Sequence, residues 1–195
     1  MTNYTSKKLG EIFEIARGGS PRPISKFITE DPDGINWVMI GDGVEGSKYI
    51  SETKKKIIQD GVKRSRRVKP GDFILSNSMS FGRPYIMETD GCIHDGWLLL
   101  RPRTNDISTD YFYYLLGSEA IYQKFKLLAG GSTVKNLNID LVSNVEVPYP
   151  DLSTQQEIAA RLDDVSRLKK QYLEGAFLTA ELLEAIAADV FKGNI

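Results

Sequence analysis

Residues 148–193 read PYPDLSTQQEIAARLDDVSRLKKQYLEGAFLTAELLEAIAADVFKG, and they divide the chain in two. Pro148 and Pro150 close what precedes them. Ser153 can cap a helix, with Gln156 three residues on completing a capping-box pattern. Glu157 sits in the first turn, where the helix dipole favours a negative charge. No proline follows as far as Lys192, and Gly193 is placed to end the helix. About 40 residues at 1.5 Å each make a rod of roughly 60 Å.

The apolar positions of this rod follow 4,3 spacing: Ile158, Leu162, Val165, Lys169, Tyr172, Ala176, Thr179, Leu183, Ile186 and Val190. A seam sustained over more than four heptads reads as coiled coil. Leu168, Leu173, Phe177, Leu178 and Leu182 widen it, so the helix is expected to pack on more than one neighbour. Gly175 costs about 1 kcal/mol in a helix interior and marks a kink or a close helix approach. The competing arrangement folds the helix back on its own domain. A rod of this length outruns the width expected of a 150-residue domain, so part of its seam must find another helix.

Upstream, residues 1–150 read as mixed strand and helix. Short apolar runs predict strands at Leu9–Ile15, Trp37–Ile40, Phe73–Leu75, Tyr85–Met87, Trp97–Leu100 and Val145–Tyr149. Turn chemistry separates them: RGGSPRP at 17–23, DPDG at 31–34, KPGD at 69–72 and FGRP at 81–84. A helical pair follows, with Thr109 as cap for DYFYYLL and Ser118 for EAIYQKFKLLA, stopped by Gly130–Gly131. Strands, then helices, then a strand make an α+β domain rather than a regular βα repeat. The expected organisation is a mixed-sheet domain over 1–150 and a coiled-coil spacer or dimerisation helix over 151–195.

The formal net charge of the 195 residues is −1, and it is a cancellation. Residues 1–150 hold 20 basic and 18 acidic side chains, and residues 151–195 hold 5 and 8. Within 48–69 there are nine basic residues, Lys48, Lys54, Lys55, Lys56, Lys63, Arg64, Arg66, Arg67 and Lys69, against two acidic ones. Such a local field attracts phosphates whatever the global charge. One cysteine excludes an internal disulfide and a cysteine-clustered zinc site. No apolar run approaches a membrane span, and MTNYTSKKLGEIFEI lacks the apolar core of a signal peptide. The expected location is the cytoplasm.

Three patterns in the sequence bear on catalysis. Pro32–Asp33 with Glu52–Thr53–Lys54 fits a PD…ExK nuclease pattern that could hold Mg²⁺, but Asp33 lies in Asp-Pro-Asp-Gly, which is turn chemistry. A DNA amino-methyltransferase needs a glycine-rich cofactor loop and an Asn/Asp-Pro-Pro-aromatic motif. Phe81–Pro84 and Val147–Pro150 supply neither. Cys92, His94 and Asp95 are adjacent in GCIHDGW, whereas triad members come from separate elements. In a strand Cys92 and His94 share one face and Asp95 takes the other. His94 therefore reads as a structural or base-contacting residue. The loops at 17–23 and 76–84 combine Gly, hydroxyl groups and Arg. Glycines let backbone approach a phosphate, and Arg, Asn and Ser can hydrogen-bond base edges.

KLGEIFEIARGGS at 8–20, GDFILSNSMSFGRPYIMETDGCIHDGWLLLRP at 71–102 and GSTVKNLNIDLVSNVEVPYPDLSTQQEIAARLD at 131–163 resemble a specificity subunit of type I restriction–modification systems. The last run is the most specific: a GST-x-KNLN turn, a short strand ending in prolines and a QQEIA helix start. VFKGNI at 190–195 resembles the family's natural C-terminus. The resemblance implies a target recognition domain that reads double-stranded DNA and does no chemistry. A partner modification subunit binds S-adenosylmethionine and methylates adenine, and a restriction subunit, where present, cleaves. Full-length members carry two recognition domains and two spacer helices, so this chain looks like a half-subunit. It is expected to pair as a homodimer or with another specificity subunit. At 3.4 Å per base pair the rod caps the gap between half-sites at roughly 17 base pairs.

On this reading the chain itself has no catalytic residue, metal or cofactor. Phosphate contacts are expected from Lys54, Lys55, Lys56, Lys63, Arg64, Arg66 and Arg67. Base contacts are expected from Ser20, Arg22, Ser76, Asn77, Ser78, Ser80, Arg83, His94 and Trp97. Lys135 and Asn136 either touch DNA backbone or lock domain to helix. The helix seam is expected to use Ile158, Leu162, Val165, Tyr172, Ala176, Leu183, Ile186 and Val190. The rivals are a Mg²⁺-dependent nuclease acting alone and an assembly subunit that never reads bases.

Overall fold

Several strands of this chain are apolar on both faces, and the layering explains why. The computed structural model describes residues 4–78, 82–129 and 137–193. In chain order the elements are β1 (Thr5–Lys8), α1 (Leu9–Ile12), β2 (Phe13–Arg17), β3 (Ile28–Thr29), β4 (Ile35–Val38), β5 (Tyr49–Ile50), β6 (Lys56–Ile57), α2 (Gln59–Val62), β7 (Arg66–Val68), β8 (Phe73–Ser76), β9 (Pro84–Met87), β10 (Gly91–Ile93), β11 (Trp97–Pro102), α3 (Thr109–Leu116), α4 (Glu119–Ala129), α5 (Ile139–Ser143), β12 (Glu146–Tyr149) and α6 (Leu152–Phe191). One five-stranded sheet runs β2-β11-β8-β9-β5, another runs β3-β6-β4-β10-β7, and β1 pairs with β12. Both five-stranded sheets mix parallel and antiparallel pairs.

The two five-stranded sheets pack face to face. Val38, Val68 and Ile93 from one meet Ile50, Ile74, Tyr85, Met87, Trp97 and Leu99 from the other. The alternate residues Phe73, Leu75, Ile86, Leu98 and Leu100 point the opposite way, into a core with Phe112, Leu116, Ile121 and Phe125 of α3 and α4. A sheet covered on both faces needs apolar residues at every position, which is why β8 and β11 show no polar alternation. A small third cluster, Trp37, Ile57 and Cys92 with Phe27, Ile28 and Met39, covers the outer face of the other sheet.

Four expectations change in detail. Leu9–Ile15 is a helical turn followed by β2, not one strand. Trp37 lies in β4, but Ile40 belongs to a 3-10 turn whose Asp42 carboxylate accepts the Met39 N–H at 2.7 Å. Ser108, not Thr109, caps α3, accepting the Tyr111 N–H. Asp151, not Ser153, caps α6, accepting the Thr154 N–H at 2.9 Å, so the helix begins two residues earlier than read. The expected Gly130–Gly131 stop lies outside the described residues.

The 40 residues of α6 form one helix about 60 Å long. Its first turns dock on the domain: Gln155 and Ala159 are buried and Ile158 is packed against the larger core. Beyond them it leaves the body, with Val165, Tyr172, Leu183 and Val190 exposed. It does not fold back. Gly175 stays inside the helix with open space around it, and Thr179 Oγ1 donates to its carbonyl.

Candidate DNA interface

Strand order carries distant loops to one end of the two sheets. β2, β4 and β10 finish there, β7 and β11 start there, and the β8–β9 hairpin turns there. The turn His94–Gly96 joins the two sheets at that end. Gly18 lies flat against it: a Cβ at Gly18 would stand 2.1 Å from the His94 carbonyl oxygen, so only glycine lets the 17–23 loop pass. Gly18 and Gly19 donate their N–H groups to the Trp97 and Ile93 carbonyls, which pins that loop at its base.

At this end the 17–22 segment, Asn77 and His94 meet at Asp95. Its Oδ1 accepts from Ser20 Oγ at 2.8 Å and lies 3.1 Å from His94 Nε2. Arg22 Nη2 stands 3.5 Å from Oδ2. The Asp95 carbonyl accepts from Arg17 Nε at 2.9 Å and Asn77 Nδ2 at 3.0 Å. Arg64 Nη1 and Arg66 Nε donate to the carbonyls of Arg22 and Arg17 at 3.5 and 3.4 Å. Arg17 and Arg22 thus stand at Asp95, Arg64 and Arg66 are tied to the backbone of those two arginines, and Arg22 is 80% exposed. The end is net positive, and its hydrogen-bonding side chains are held in fixed directions.

The electrostatics follow from these contacts. Burial works to raise the Asp95 pKa, but the Ser20 hydrogen bond and the charges of His94, Arg17 and Arg22 outweigh it and hold the carboxyl below its usual range. Burial, with Arg22 and Arg17 adding to it, pushes the His94 pKa down against the pull of Asp95. The Gly96 N–H donates to His94 Nδ1 at 2.9 Å, so the neutral ring carries its proton on Nε2, the nitrogen that lies 3.1 Å from Asp95 Oδ1.

Of the residues singled out from sequence, Ser20, Arg22, Arg64, Arg66, Asn77 and His94 come together in this cluster. Ser78 lies beside it, half-buried, and Lys54 and Lys55 border it at the start of β6. Lys63 is exposed at the end of α2, next to Arg64. Arg83 is at the same end but is ion-paired to Glu45 at 3.2 Å. Ser76, Asn77 and Trp97 are each 1% exposed and have no surface to offer a base. Trp97 packs edge-on against Tyr85, Ser76 Oγ accepts the Arg83 N–H, and Asn77 holds the Asp95 carbonyl. They support the loops from below. Arg67 points to the other face of β7, toward Gln59, and Lys56 Nζ reaches the Pro32 carbonyl at the far end. Ser80, Lys135 and Asn136 lie outside the described residues. Leu137 and Asn138, which end the same motif, are described. Leu137 donates its N–H to the Asn77 carbonyl, and Asn138 caps α5.

Lys48, counted in the basic run, has another task. Its ammonium lies 2.7 Å from Asp110 of α3 and 2.8 Å from Asp163 of α6, and Tyr114 OH donates to the same Asp163 oxygen. The lysine is 13% exposed. It fastens the domain to the helix and is not free for phosphate. Asp95 and Arg17 were missed as members of the cluster. The alternation argument placed His94 and Asp95 on opposite faces by extending β10 through them. β10 ends at Ile93, and in the turn that follows the two side chains meet.

That turn also disposes of nucleophilic chemistry. Cys92 is buried with Trp37 and Ile57, away from Asp95, and burial pushes its thiol up. Asp33 sits in the turn expected of it, its N–H donating to Asp31 Oδ1. No group of three or more His, Cys, Asp or Glu side chains that could hold a metal occurs among the described residues, and none of their helices is long and apolar enough to cross a membrane.

A mixed double sheet backed by helices, with a projecting helical rod, is a fold shared with solved structures. The HsdS subunit from Thermoanaerobacter tengcongensis superimposes with a TM-score of 0.66 at 20% identity, over 86% of this chain and 38% of that one. A chain from a solved type I R-M system gives 0.68 at 22% identity, over 86% and 39%. Residues 1–175 match the family model described as type I restriction modification DNA specificity domain, and the chain belongs to that family. The type I restriction enzyme MjaIX specificity subunit of Methanocaldococcus jannaschii is 32% identical over 197 residues, 97% of this chain and 43% of the relative. The chain spans less than half the length of the curated relatives it matches.

Proposed function

We propose that this chain is the sequence-recognition subunit of a type I restriction–modification, DNA adenine methyltransferase, complex. The observation that carries the reading is the gathering of Ser20, Arg22 and His94 at the Asp95 carboxylate, with Arg64 and Arg66 held on the same loop, in a chain of the specificity-domain family. The net-positive end attracts phosphates without regard to sequence. The fixed donors and acceptors at its centre discriminate base edges. One domain has one such end and reads one half-site.

The exposed seam of α6 supports pairing with a second helix, from another copy or from another specificity subunit. Two ends then read a bipartite site with a gap set by the rods, at most roughly 17 base pairs at 3.4 Å each. Methyl transfer falls to a modification subunit carrying S-adenosylmethionine, and cleavage to a restriction subunit where the system has one. This chain contributes no catalytic group. The test is to co-express it with its modification partner and sequence the methylated sites. The expected result is a single interrupted motif, palindromic if two copies pair. Methylation at the same motif without this chain, or at no defined motif with it, sinks the reading, and the second outcome favours a pure assembly role.

A further inference from the structure

Beside the Asp95 cluster lies a cavity of about 370 Å³ that neither the fold nor the contacts described above require. Its inner wall is apolar, made by Ile24, Ile28, Met39 and the edge of Trp37, and its rim carries Arg22, Lys55 and His94. The walls come from three places in the sequence: the 3-10 turn at 24–26, the strands β3 and β4, and the residue after β4. Ile28 and Met39 pack around Trp37 on one side and stay half-open on the other. The cavity is in the range of small-ligand sites, which are apolar with a few placed polar groups.

Chemistry and position narrow the occupant. Arg22 is 80% exposed and bound to Asp95 only loosely, at 3.5 Å. Lys55 is exposed and has no carboxylate partner among the described residues. Two cations at the mouth of an apolar slot match a ligand with an anionic group on one side and a flat, weakly polar body on the other. A phosphorylated nucleoside is such a ligand, because every base has an apolar face whatever its edge. Ser20 and His94 also line the cavity, both turned onto Asp95. The cavity shares Ser20, Arg22 and His94 with the loop end proposed for DNA, and proteins that act on duplexes can take a base rotated out of the stack.

We propose that this cavity binds a single nucleotide, with the base against Ile24, Ile28 and Met39, over the buried Trp37, and the phosphate on Arg22 and Lys55. The nucleotide is either one rotated out of bound DNA, which rests on the DNA-recognition reading, or a free mononucleotide, which does not. The chain has two tryptophans, Trp37 at the cavity and Trp97 in the core, so their indole N–H signals give a probe and an internal control. In the first arm the four deoxynucleoside 5′-monophosphates are titrated into the full chain. The expected result is a saturable shift of the Trp37 signal with Trp97 unmoved, lost in Met39→Phe, which fills the slot, and at least tenfold weaker in Arg22→Ala/Lys55→Ala. Ile28→Phe serves if Met39→Phe fails to fold, judged by its melting curve.

In the second arm 2-aminopurine is scanned through a duplex bearing the methylated site, with the chain bound to its modification partner. A several-fold fluorescence gain is expected at one position besides the methylated adenine. Met39→Phe removes that gain and leaves the one at the methylated adenine. A gain in the duplex arm identifies the rotated-out nucleotide, and a response to mononucleotides alone identifies the free ligand. Silence in both arms overturns the proposal. If the wild-type complex shows no sequence-specific duplex binding, DNA recognition fails and the mononucleotide arm alone decides the cavity.

Discussion

Gln155 is fully buried at the root of α6, and replacing it should loosen the helix from the domain more than any other single change in the QQEIA motif. Its Oε1 accepts the Ser108 N–H at 2.9 Å. Its Nε2 donates to the Pro150 carbonyl at 2.9 Å and to the Asp106 carbonyl at 3.2 Å. Ser108 in turn caps α3, so one amide ties the starts of α3 and α6 to the strand before the rod. Gln155→Leu keeps the volume and leaves three backbone groups without that partner. The Ser108 N–H and Pro150 carbonyl are in buried bonds, and an unmet buried group costs about 1–3 kcal/mol. The Asp106 carbonyl lies on an exposed residue and recovers water. The expected loss is about 3 kcal/mol, or roughly 10 °C in Tm for a chain of this size. Urea and thermal unfolding measure it, with Gln156→Leu, exposed, as control within about 0.5 kcal/mol. Gln155→Glu sets a carboxylate against two carbonyl oxygens, so its deficit should shrink as the pH falls. A Gln155→Leu chain as stable as wild type, or a Gln156→Leu chain equally damaged, would falsify the clasp.

Four other outcomes are expected. Arg64→Ala/Arg66→Ala should weaken binding to all DNA sequences and reduce the slope of log K against log salt by up to about 2, at ~0.9 per phosphate contact; an unchanged slope removes the patch from the interface. Asp95→Asn removes the one carboxylate from the arginine cluster, so affinity for random DNA should rise while discrimination between sequences falls, and competition binding that shows discrimination intact defeats that role. Lys48→Met should cost about 1–2 kcal/mol, discounted because Asp110 and Asp163 are each 47% exposed. Although burial opposes it, Lys48 and Tyr114 hold the Asp163 pKa down. This stabilisation is present above the ordinary carboxylate range and is lost as pH drops through the folded value. The gap between wild type and Lys48→Met should therefore fade from about pH 4 downward; a gap that persists in acid means packing, not charge. Leu183→Asp should abolish helix pairing, read as a fall in solution mass or loss of partner binding, and an unchanged mass with partner binding intact contradicts the seam.

Much of the fold is legible in the residues because periodicity is a local property. The rod shows itself by 4,3 spacing and the absence of proline, and the buried strands by unbroken apolar runs. The caps shift by one or two residues because Ser, Thr and Asp all accept a backbone N–H, and only the actual chain direction selects Asp151 over Ser153 and Ser108 over Thr109. The short strands β5, β6 and β7 have two or three residues each, too few for any period. Their existence depends on partners far along the chain, β9, β4 and β10.

The site divides the same way. The sequence by itself determines that a dense basic run and two Gly/Ser/Arg loops exist. It does not determine which cations are free. Lys48 and Arg67 look alike in the run, yet one is sunk between two carboxylates and the other lies on the far face of β7. Nor does it reveal that His94 and Asp95 meet, because that depends on β10 stopping at Ile93. Composition and spacing are written in neighbouring residues. Convergence on Asp95 is the result of strand order, which brings together residues up to 78 positions apart that no local pattern connects.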